Sequence, residues 1–419
     1  MIRFAGRDVR AARGMPVAVA LWSAGERVLA RSIKYHRPRG AFCFDGHCGG
    51  CLMRIGGLPN LRACMEPCTE GLDIEGQNAY PSQKLDVLSA VDWLFPRGMD
   101  HHTMMTGSRV LSAVTQKLVR QLSGLGTLPD QIAATAEDAA IVTPDVCVVG
   151  GGPAGLAAAT EAATTGARVV LIDEMPEPGG SLRADPRYGP EACAERTRRA
   201  LASGAEILAS AQAIGFFPED RGGVLAVATR SRLLLFRPRA TVYATGGYAQ
   251  NLPFEDNDRP GVIAARGGGR LLLDHGISPG QRVVLAAAPD APVDFAEALT
   301  EALTAAGSEV IVAQVLRARG RQEVTGAVIR DPDGKERTVD CDAILVWATP
   351  APATELLRQH GCAVRFCAAR GGFAVTCTGD GQTDVPGVFA CGDVTGYVGP
   401  EAATDAGQRA GARACEAVR

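Results

Sequence analysis

The chain has 419 residues, enough for about three domains at roughly 150 residues each. Its 43 Lys and Arg against 46 Asp and Glu give a net charge of −3, so a nucleic-acid backbone has no general electrostatic reason to bind it and a nucleic-acid role is not expected. No uninterrupted apolar stretch approaches the roughly 18 residues of a membrane-spanning helix, so no transmembrane segment is expected. Glycine supplies 50 residues, about 12% against a usual value of about 7%, an excess that suits backbone approaching phosphates or turning tightly. Thirteen cysteines, an odd number spread over a long chain, argue against a disulfide framework and leave metal binding or buried thiols in a reducing, cytoplasmic setting. Arg3, Arg7, Arg10 and Arg13 precede an apolar stretch at 17–22, but that stretch is too short and lacks a clean cleavage site, so export is not expected.

Along residues 1–82, short apolar stretches, a helix candidate with Pro16 in its first turn and Val17, Ala20, Leu21 and Ala24 at helical spacing, and a Cys/Gly-rich loop predict a compact α+β unit. From about 83 to 143, helical periodicities through Val87, Leu88, Val91 and Leu94, and again through Val110, Val114 and Leu118, are broken by Pro96, Gly98 and Gly107. They predict a helical connector without its own core. At Asp145 the pattern turns to a buried strand (146–149), a glycine turn, an Ala-rich helix and a second strand (169–172), one βαβ unit. A further strand is expected at 241–244. Strand 282–286, a helix near 295–306 and strand 310–313 form a second βαβ-like unit closed by strand 343–346. The tail, strand 387–390, Gly392, Asp393 and an Ala/Gly-rich helix, is expected to return to the first α/β unit.

Cys43, Cys48, Cys51 and Cys64 have the spacing C-x4-C-x2-C with a fourth Cys after twelve intervening residues, the plant-type 2Fe-2S spacing. A tight loop must place three thiolates around the cluster with backbone N–H groups pointing inward, and Gly46, Gly49 and Gly50 permit the close approach and positive φ this needs. Zinc also takes four thiolates, but its sites usually come as paired C-x2-C knuckles and only one such pair exists here. Cys68 is a spare, an inert neighbour or a substitute ligand. His36 and His47 flank the loop and, with four cysteines available, read as surface or supporting residues.

In Val148-Val-Gly150-Gly-Gly152-Pro153-Ala154-Gly155, Gly150 makes the tight turn after the strand. Gly152 lets backbone reach a pyrophosphate, Gly155 lets the helix pack on the strand, and the helix N-terminus opened by Pro153 and Ala154 offers N–H donors. Asp173 ends the second strand 23 residues after Gly150, where a carboxylate accepts from ribose hydroxyls and repels a 2′-phosphate; the adjacent Glu174 is expected to point the other way. Gly179 and Gly180, Thr245 and Gly246, and Gly392 and Asp393 complete a set long enough for a flavin dinucleotide, which needs contacts at both ends of the domain. Together these segments resemble the two-dinucleotide-binding-domain flavoproteins that include thioredoxin and glutathione reductases, and the resemblance implies that Asp393 holds the ribityl chain. The redox-active C-x2-C or C-x4-C pair of such enzymes has no counterpart outside the cluster loop, so disulfide reduction is not expected. In the second unit, Ala286-Ala-Ala-Pro-Asp290 replaces the glycine loop, which weighs against NAD(P)H binding there.

With Lys34-Tyr-His-Arg-Pro-Arg-Gly40, Gln77-Asn-Ala-Tyr-Pro-Ser82, Leu94-Phe-Pro-Arg-Gly98 and Asp256-Asn-Asp-Arg-Pro-Gly261, the chain resembles the α-subunit of heterotetrameric sarcosine oxidase and its relatives. These relatives include the multisubunit dye-linked proline, hydroxyproline and opine dehydrogenases and hydrogen cyanide synthase. The sarcosine oxidase type often lacks the cluster cysteines, so their presence here points toward the dehydrogenases. Many relatives continue into a C-terminal Cys-rich or folate-binding segment, and sites built from those parts are expected to be absent or supplied by another chain. The resemblance implies an electron-transfer subunit carrying FAD and a 2Fe-2S cluster, with amine oxidation on a β-subunit similar to D-amino-acid oxidases, further small subunits, and FMN at a subunit interface. The alternatives are NAD or ATP held structurally in place of FAD, or a self-sufficient NADH-dependent reductase. No catalytic base is identified; His101 and His102 read as surface residues, and the basic N-terminal region reads as a solvated face or a dock for an acidic partner. The fold expected is α/β, a two-dinucleotide-binding-domain flavoprotein with doubly wound parallel sheets and an N-terminal α+β ferredoxin-like 2Fe-2S domain. The cluster domain takes residues 1–82, the connector 83–143 and the first part of the FAD-binding domain 144–275. A degenerate second dinucleotide-type domain takes 276–370 and the C-terminal part of the FAD-binding domain 371–419.

Overall fold

The computed structural model describes residues 1–90, 108, 110, 112–114, 138–219, 222–331 and 333–419. Most of the expected connector, with His101 and His102, lies outside them.

The N-terminal unit is a mixed five-stranded sheet in the order Arg7–Val9, Ile2–Phe4, Asp73–Glu75, Leu52–Ile55, Leu58–Arg62. Ile2–Phe4 runs parallel to Asp73–Glu75 and antiparallel to Arg7–Val9. The helix Val17–Ser23 buries every residue from Val17 to Trp22, which explains a continuous apolar run with no polar face. Its core is shared. Ile2, Phe4, Leu21 and Met53 belong to one apolar cluster with Phe295, Leu345 and Trp347 of the second α/β unit, so the two units pack as one body.

The first α/β unit is a parallel sheet in the order Glu206–Leu208, Val169–Ile172, Val146–Val149, Ala240–Tyr243, Val388–Ala390. Its central strands are buried on both faces, as near-continuous Val/Ile/Leu runs in parallel sheets require. The helix Pro153–Thr164 and the C-terminal helix Pro400–Val418 pack on it and on each other. Gly407 and Gly411 make this approach possible, since a Cβ on them would lie 2.1 Å from Ala154 O and 2.3 Å from Ala158 O. The tail thus adds both a strand, beginning at Val388, and a helix to a unit begun far earlier in the chain, at Val146.

The second α/β unit is a four-stranded parallel sheet in the order Val262–Ala264, Ala343–Trp347, Arg282–Ala287, Glu309–Val312, with helices Ala265–His275 and Val293–Ala305. Two antiparallel meanders go beyond the sequence expectation: Gln212–Glu219, Gly222–Ala228 and Leu233–Phe236, and Gln314–Arg319, Gly326–Arg330 and Glu336–Val339. Several of their strands are half exposed and polar on one face, which is why apolar runs did not mark them. Among the described residues no helix is long and apolar enough to cross a membrane.

Candidate functional site

Every cysteine is a free thiol. In the loop after Ala41, Cys43 Sγ lies 3.3 Å from Cys48 Sγ, and Cys51 Sγ lies 3.5 Å from Cys64 Sγ. The four sulfurs therefore gather as two pairs. Metal–thiolate bonds of about 2.3 Å in a tetrahedron separate their ligands by about 3.8 Å, within about half an ångström of both pairs, so each pair is spaced much as two thiolates on one tetrahedral metal ion would be. Backbone N–H groups of Asp45 and Gly50 point at Cys43 and Cys48, and hydrogen bonds from the Cys48 and Cys64 thiols drive Cys43 strongly toward the thiolate. Gly46 has φ +83°, and Gly50 sits where a Cβ would lie 2.4 Å from Gly40 O. Gly49 has neither a positive φ nor a close neighbour, so its expected role is not needed. Cys68 is buried in the N-terminal core, where burial pushes its thiol up to about 11. His36 is buried too, with Nδ1 2.9 Å from Asn78 O and 3.0 Å from Asp86 Oδ2. It is a structural strut rather than a surface residue.

The strand ends Val149, Ile172, Tyr243 and Ala390 all stop at the same edge of the parallel sheet, the edge where such sheets bind ligands. A cavity of 390 Å³ opens there. Gly150, Gly152, Pro153 and Ala154 line it from the first turn, Asp173, Glu174 and Gly180 from the second, and Thr245, Gly246, Gly392 and Asp393 from the far side. Gly155 and Gly179 stand behind the lining. A Cβ on Gly155 would lie 1.7 Å from Gly150 O, and Gly179, at φ +140°, turns the loop against Cys193. Gly152 caps the helix Pro153–Thr164, and a Cβ there would meet only Gly180 Cα at 3.9 Å, leaving room for a phosphate at the helix N-terminus. Thr245 donates to Ala353 O at 2.7 Å. Asp393 accepts from Val398 N–H at 3.2 Å, and its Oδ2 lies 3.5 Å from Arg266 Nη2.

Asp173 accepts from Gly151 N–H at 2.5 Å and from Met175 N–H at 2.7 Å. Burial raises its carboxyl to about 6 against the pull of those two donors. Because the folded value lies above the ordinary one, ionised Asp173 costs folding stability above pH 6, and that cost is relieved as the pH falls through about 6 toward 3.8. Binding runs the other way, since a carboxylate accepts from ribose hydroxyls more strongly than the protonated acid does. Affinity for FAD is therefore expected to fall between pH 7.5 and pH 5. Equilibrium dialysis across that range should show the fall in the wild type and a flat profile in Asp173→Asn.

Glu174 does not point away. The strand ends at Ile172, so strand alternation no longer governs the next two residues, and both carboxylates line the cavity. Glu174 accepts from Gln212 Nε2 at 3.1 Å and lies 2.8 Å from His47 Nε2. His47, read from sequence as a surface or supporting residue, thus joins the cysteine loop to the glycine-loop unit. Its ring lies 3.3 Å from Asp45 Oδ1 and edge-on to Tyr248 at 4.9 Å. Burial pulls its pKa down, but the carboxylates of Asp45 and Glu174 outweigh this and lift it to about 10, so it is held as an imidazolium. Asp45, Gly46, His47 and Arg62 therefore belong to the cavity wall together with Arg266 and Arg270. Arg270 donates to Gly180 O at 3.1 Å. The run Gly267-Gly268-Gly269 is the one local signal for this contact. A Cβ at Gly267 would lie 2.9 Å from Phe42 O and 3.0 Å from Cys43 O, and one at Gly269 2.0 Å from Ala184 O.

Arg3, Arg10 and Arg13 are exposed, while other basic residues of this region are engaged within the fold. Arg7 pairs with Glu26 at 2.7 Å, Arg27 stacks on Trp22 at 3.7 Å, and Arg31 is buried against Gln83 O and Gln322.

Residues 1–79 match the family described as 2Fe-2S iron-sulfur cluster binding domain, 145–212 FAD dependent oxidoreductase, and 277–410 pyridine nucleotide-disulphide oxidoreductase. The sarcosine oxidase α-subunit of Rhizobium meliloti (strain 1021) is 30% identical over 336 residues, covering 74% of this chain and 33% of that protein. The opine oxidase A-subunit of Agrobacterium tumefaciens (strain Ach5) is 26% identical over 325 residues, 64% of each chain. The chain thus spans about a third of the sarcosine oxidase α-subunits it matches. The L-proline dehydrogenase from P. horikoshii superposes over 94% of this chain and 68% of its own, with a TM-score of 0.69 at 20% identity, a likeness of fold. Two sulfur pairs beside a glycine-lined cavity, with these relatives, make the chain a homologue of the α-subunits of sarcosine oxidase and the A-subunits of opine oxidase, built from a 2Fe-2S domain and FAD-dependent oxidoreductase domains.

Proposed function

We propose that this chain is the electron-transfer subunit of a heteromeric amine or amino-acid dehydrogenase or oxidase of the sarcosine, proline or opine type. The observation that carries the reading is the contact between His47, in the loop holding the cluster cysteines, and Glu174, at the end of the second strand of the nucleotide unit. Asp45, Gly46 and His47 of the cysteine loop line the same cavity as Gly150 and Gly152. When bound, FAD and the cluster supply an exchange between two-electron and one-electron steps.

In this reading Cys43, Cys48, Cys51 and Cys64 hold the cluster. Gly150, Gly152 and the helix N-terminus take the pyrophosphate, Asp173 the ribose and Asp393 the ribityl chain. A partner chain similar to D-amino-acid oxidases would hold the amine. A partner-facing surface is supported by a second cavity of 620 Å³ lined by Arg365, Phe366, Arg370 and Arg409, where the exposed Phe366 ring meets the exposed Phe373 ring edge-on at 5.2 Å. The same cavity is where this reading seats the FMN expected at a subunit interface, because its arginines suit a phosphate.

The reading of a self-sufficient NADH reductase is disfavoured by the second α/β unit. Strand Arg282–Ala287 runs into Ala288-Pro289-Asp290 and not into a glycine loop, and beside it Trp347 packs tilted on Phe295 at 4.3 Å and donates to Pro292 O at 2.7 Å. The test is a visible spectrum, iron analysis and mass identification of the bound nucleotide on the anaerobically purified chain, followed by amine oxidation with and without the β-like partner. Flavin and cluster, no bleaching by NADH and no amine oxidation by the chain alone are expected. A colourless chain, or one holding NAD or ATP without flavin, would displace this reading.

A further inference from the structure

Two of the guanidinium groups on the wall of the dinucleotide cavity belong to the second α/β unit, not to the unit that carries the glycine loop. Arg266 and Arg270 stand four residues apart on the helix Ala265–His275, so their side chains leave one face of it, one turn apart. The glycines between them let the helix come this close. A Cβ at Gly267 would strike Phe42 O and Cys43 O of the cysteine loop, and one at Gly269 would strike Ala184 O at the end of the turn Gly180–Ala184. The third guanidinium on the wall, Arg62, is already engaged by Gly46 O and Gln212 Oε1.

Arg270 is 6% exposed, and a buried guanidinium is costly unless its donors find acceptors. Its Nη2 donates to Gly180 O at 3.1 Å, whereas Nη1 lies 3.9 Å from Asp274 Oδ2, too far for a hydrogen bond. Among the described residues Nε and Nη1 have no hydrogen-bond acceptor, yet neither is fully enclosed, and the residue lines the cavity. Arg266 lies with Nη2 3.5 Å from Asp393 Oδ2 and its guanidinium 5.6 Å from the centre of the Trp347 ring.

The two arginines bracket the phosphate cradle. Gly180, held by Arg270, is the residue that faces Gly152 at the cap of the helix Pro153–Thr164, and Asp393, beside Arg266, lines the far side. That helix end has one donor fewer than usual, because Pro153 at its first position has no N–H. A diphosphate would bring two negative charges to a wall that already holds Asp173, Glu174 and Asp393, and a helix N-terminus offers only about half an elementary charge against them. Guanidinium forks match phosphate oxygens in both charge and geometry.

We propose that Arg266 and Arg270 are the cationic half of the diphosphate site, so that the nucleotide is held between the two α/β units and the cavity selects ligands with a diphosphate bridge. The inference rests on the reading above that this cavity holds a dinucleotide. It adds a specificity that the glycine loop alone does not supply.

The test uses the full chain with its cluster retained and its nucleotide removed, dialysed against ADP and against adenosine, which share the adenosine half and differ in the diphosphate. ADP is expected to bind about a hundredfold more tightly than adenosine to the wild type. Arg266→Gln and Arg270→Gln are each expected to weaken ADP about tenfold and to leave adenosine within about twofold. Arg270→Lys keeps the charge without the fork and is expected to recover part of the loss. A purely structural role would weaken both ligands alike. Arg266→Gln, at the less buried position, decides the matter if Arg270→Gln does not fold. Unchanged ADP affinity in either folded variant, or equal weakening of ADP and adenosine, overturns the proposal and leaves the functional reading intact while the wild type retains FAD. A wild type that binds neither ADP nor FAD overturns both.

Discussion

Gly155→Val is expected to release the nucleotide and to destabilise the fold by about 3 kcal/mol or more. Even the first added carbon would stand 1.7 Å from Gly150 O and 3.3 Å from Ala244 Cβ, and the blocking atom is a backbone carbonyl, which cannot rotate away as a side chain would. The helix Pro153–Thr164 would have to lift off the sheet. Its opposite side is already in close contact with the C-terminal helix, where Gly407 and Gly411 meet Ala154 O and Ala158 O, so the displacement has no slack to absorb it. The same shift would pull Gly150 and Gly152 out of register with the phosphate. Gly152→Ala makes the contrast. Its Cβ meets nothing closer than 3.9 Å, so the chain should melt near the wild-type temperature, yet the methyl would occupy phosphate space and weaken FAD binding. Thermal unfolding and nucleotide retention after gel filtration separate the two variants, and a Gly155→Val chain that keeps stoichiometric FAD would contradict the assignment of the cavity.

Local signals were legible and distant ones were not. The glycine loop, the strand ends and the four cysteines are encoded within short windows whose spacing has a direct geometric meaning. Eleven of the thirteen expected nucleotide residues line one cavity, and the other two shape it from behind. Glu174 was misdirected because alternation was carried past the last strand residue, Ile172. His47 was undervalued because its partner lies 127 residues away. Arg266 and Arg270 were missed because a helix of the second α/β unit delivers them to the first, and no periodicity within that helix says which unit it faces. The meanders at 212–236 and 314–339 escaped because half-exposed antiparallel strands lack the apolar runs of the parallel ones.

Cys64→Ser is expected to lose the cluster, whereas Cys68→Ser is expected to keep it. Cys64 comes from the segment after strand Leu58–Arg62, and its sulfur pairs with Cys51 at 3.5 Å, so removing it leaves one iron with a single thiolate. A neutral serine hydroxyl is a poor replacement for a thiolate at that iron, and its burial at a site only 3% exposed adds an unsatisfied donor. Iron content should fall from about two per chain to near zero with loss of the visible cluster absorption. Cys68 is as deeply buried, at 1%, but sits apart from the sulfur pairs, and burial keeps it a neutral thiol. Its replacement should cost some stability and no iron. The reverse result, with Cys68→Ser colourless and Cys64→Ser loaded, would move the fourth ligand to Cys68. That would require the segment after Arg62 to shift toward the cluster, where the backbone bond from Met65 N–H to Arg62 O now holds it in place.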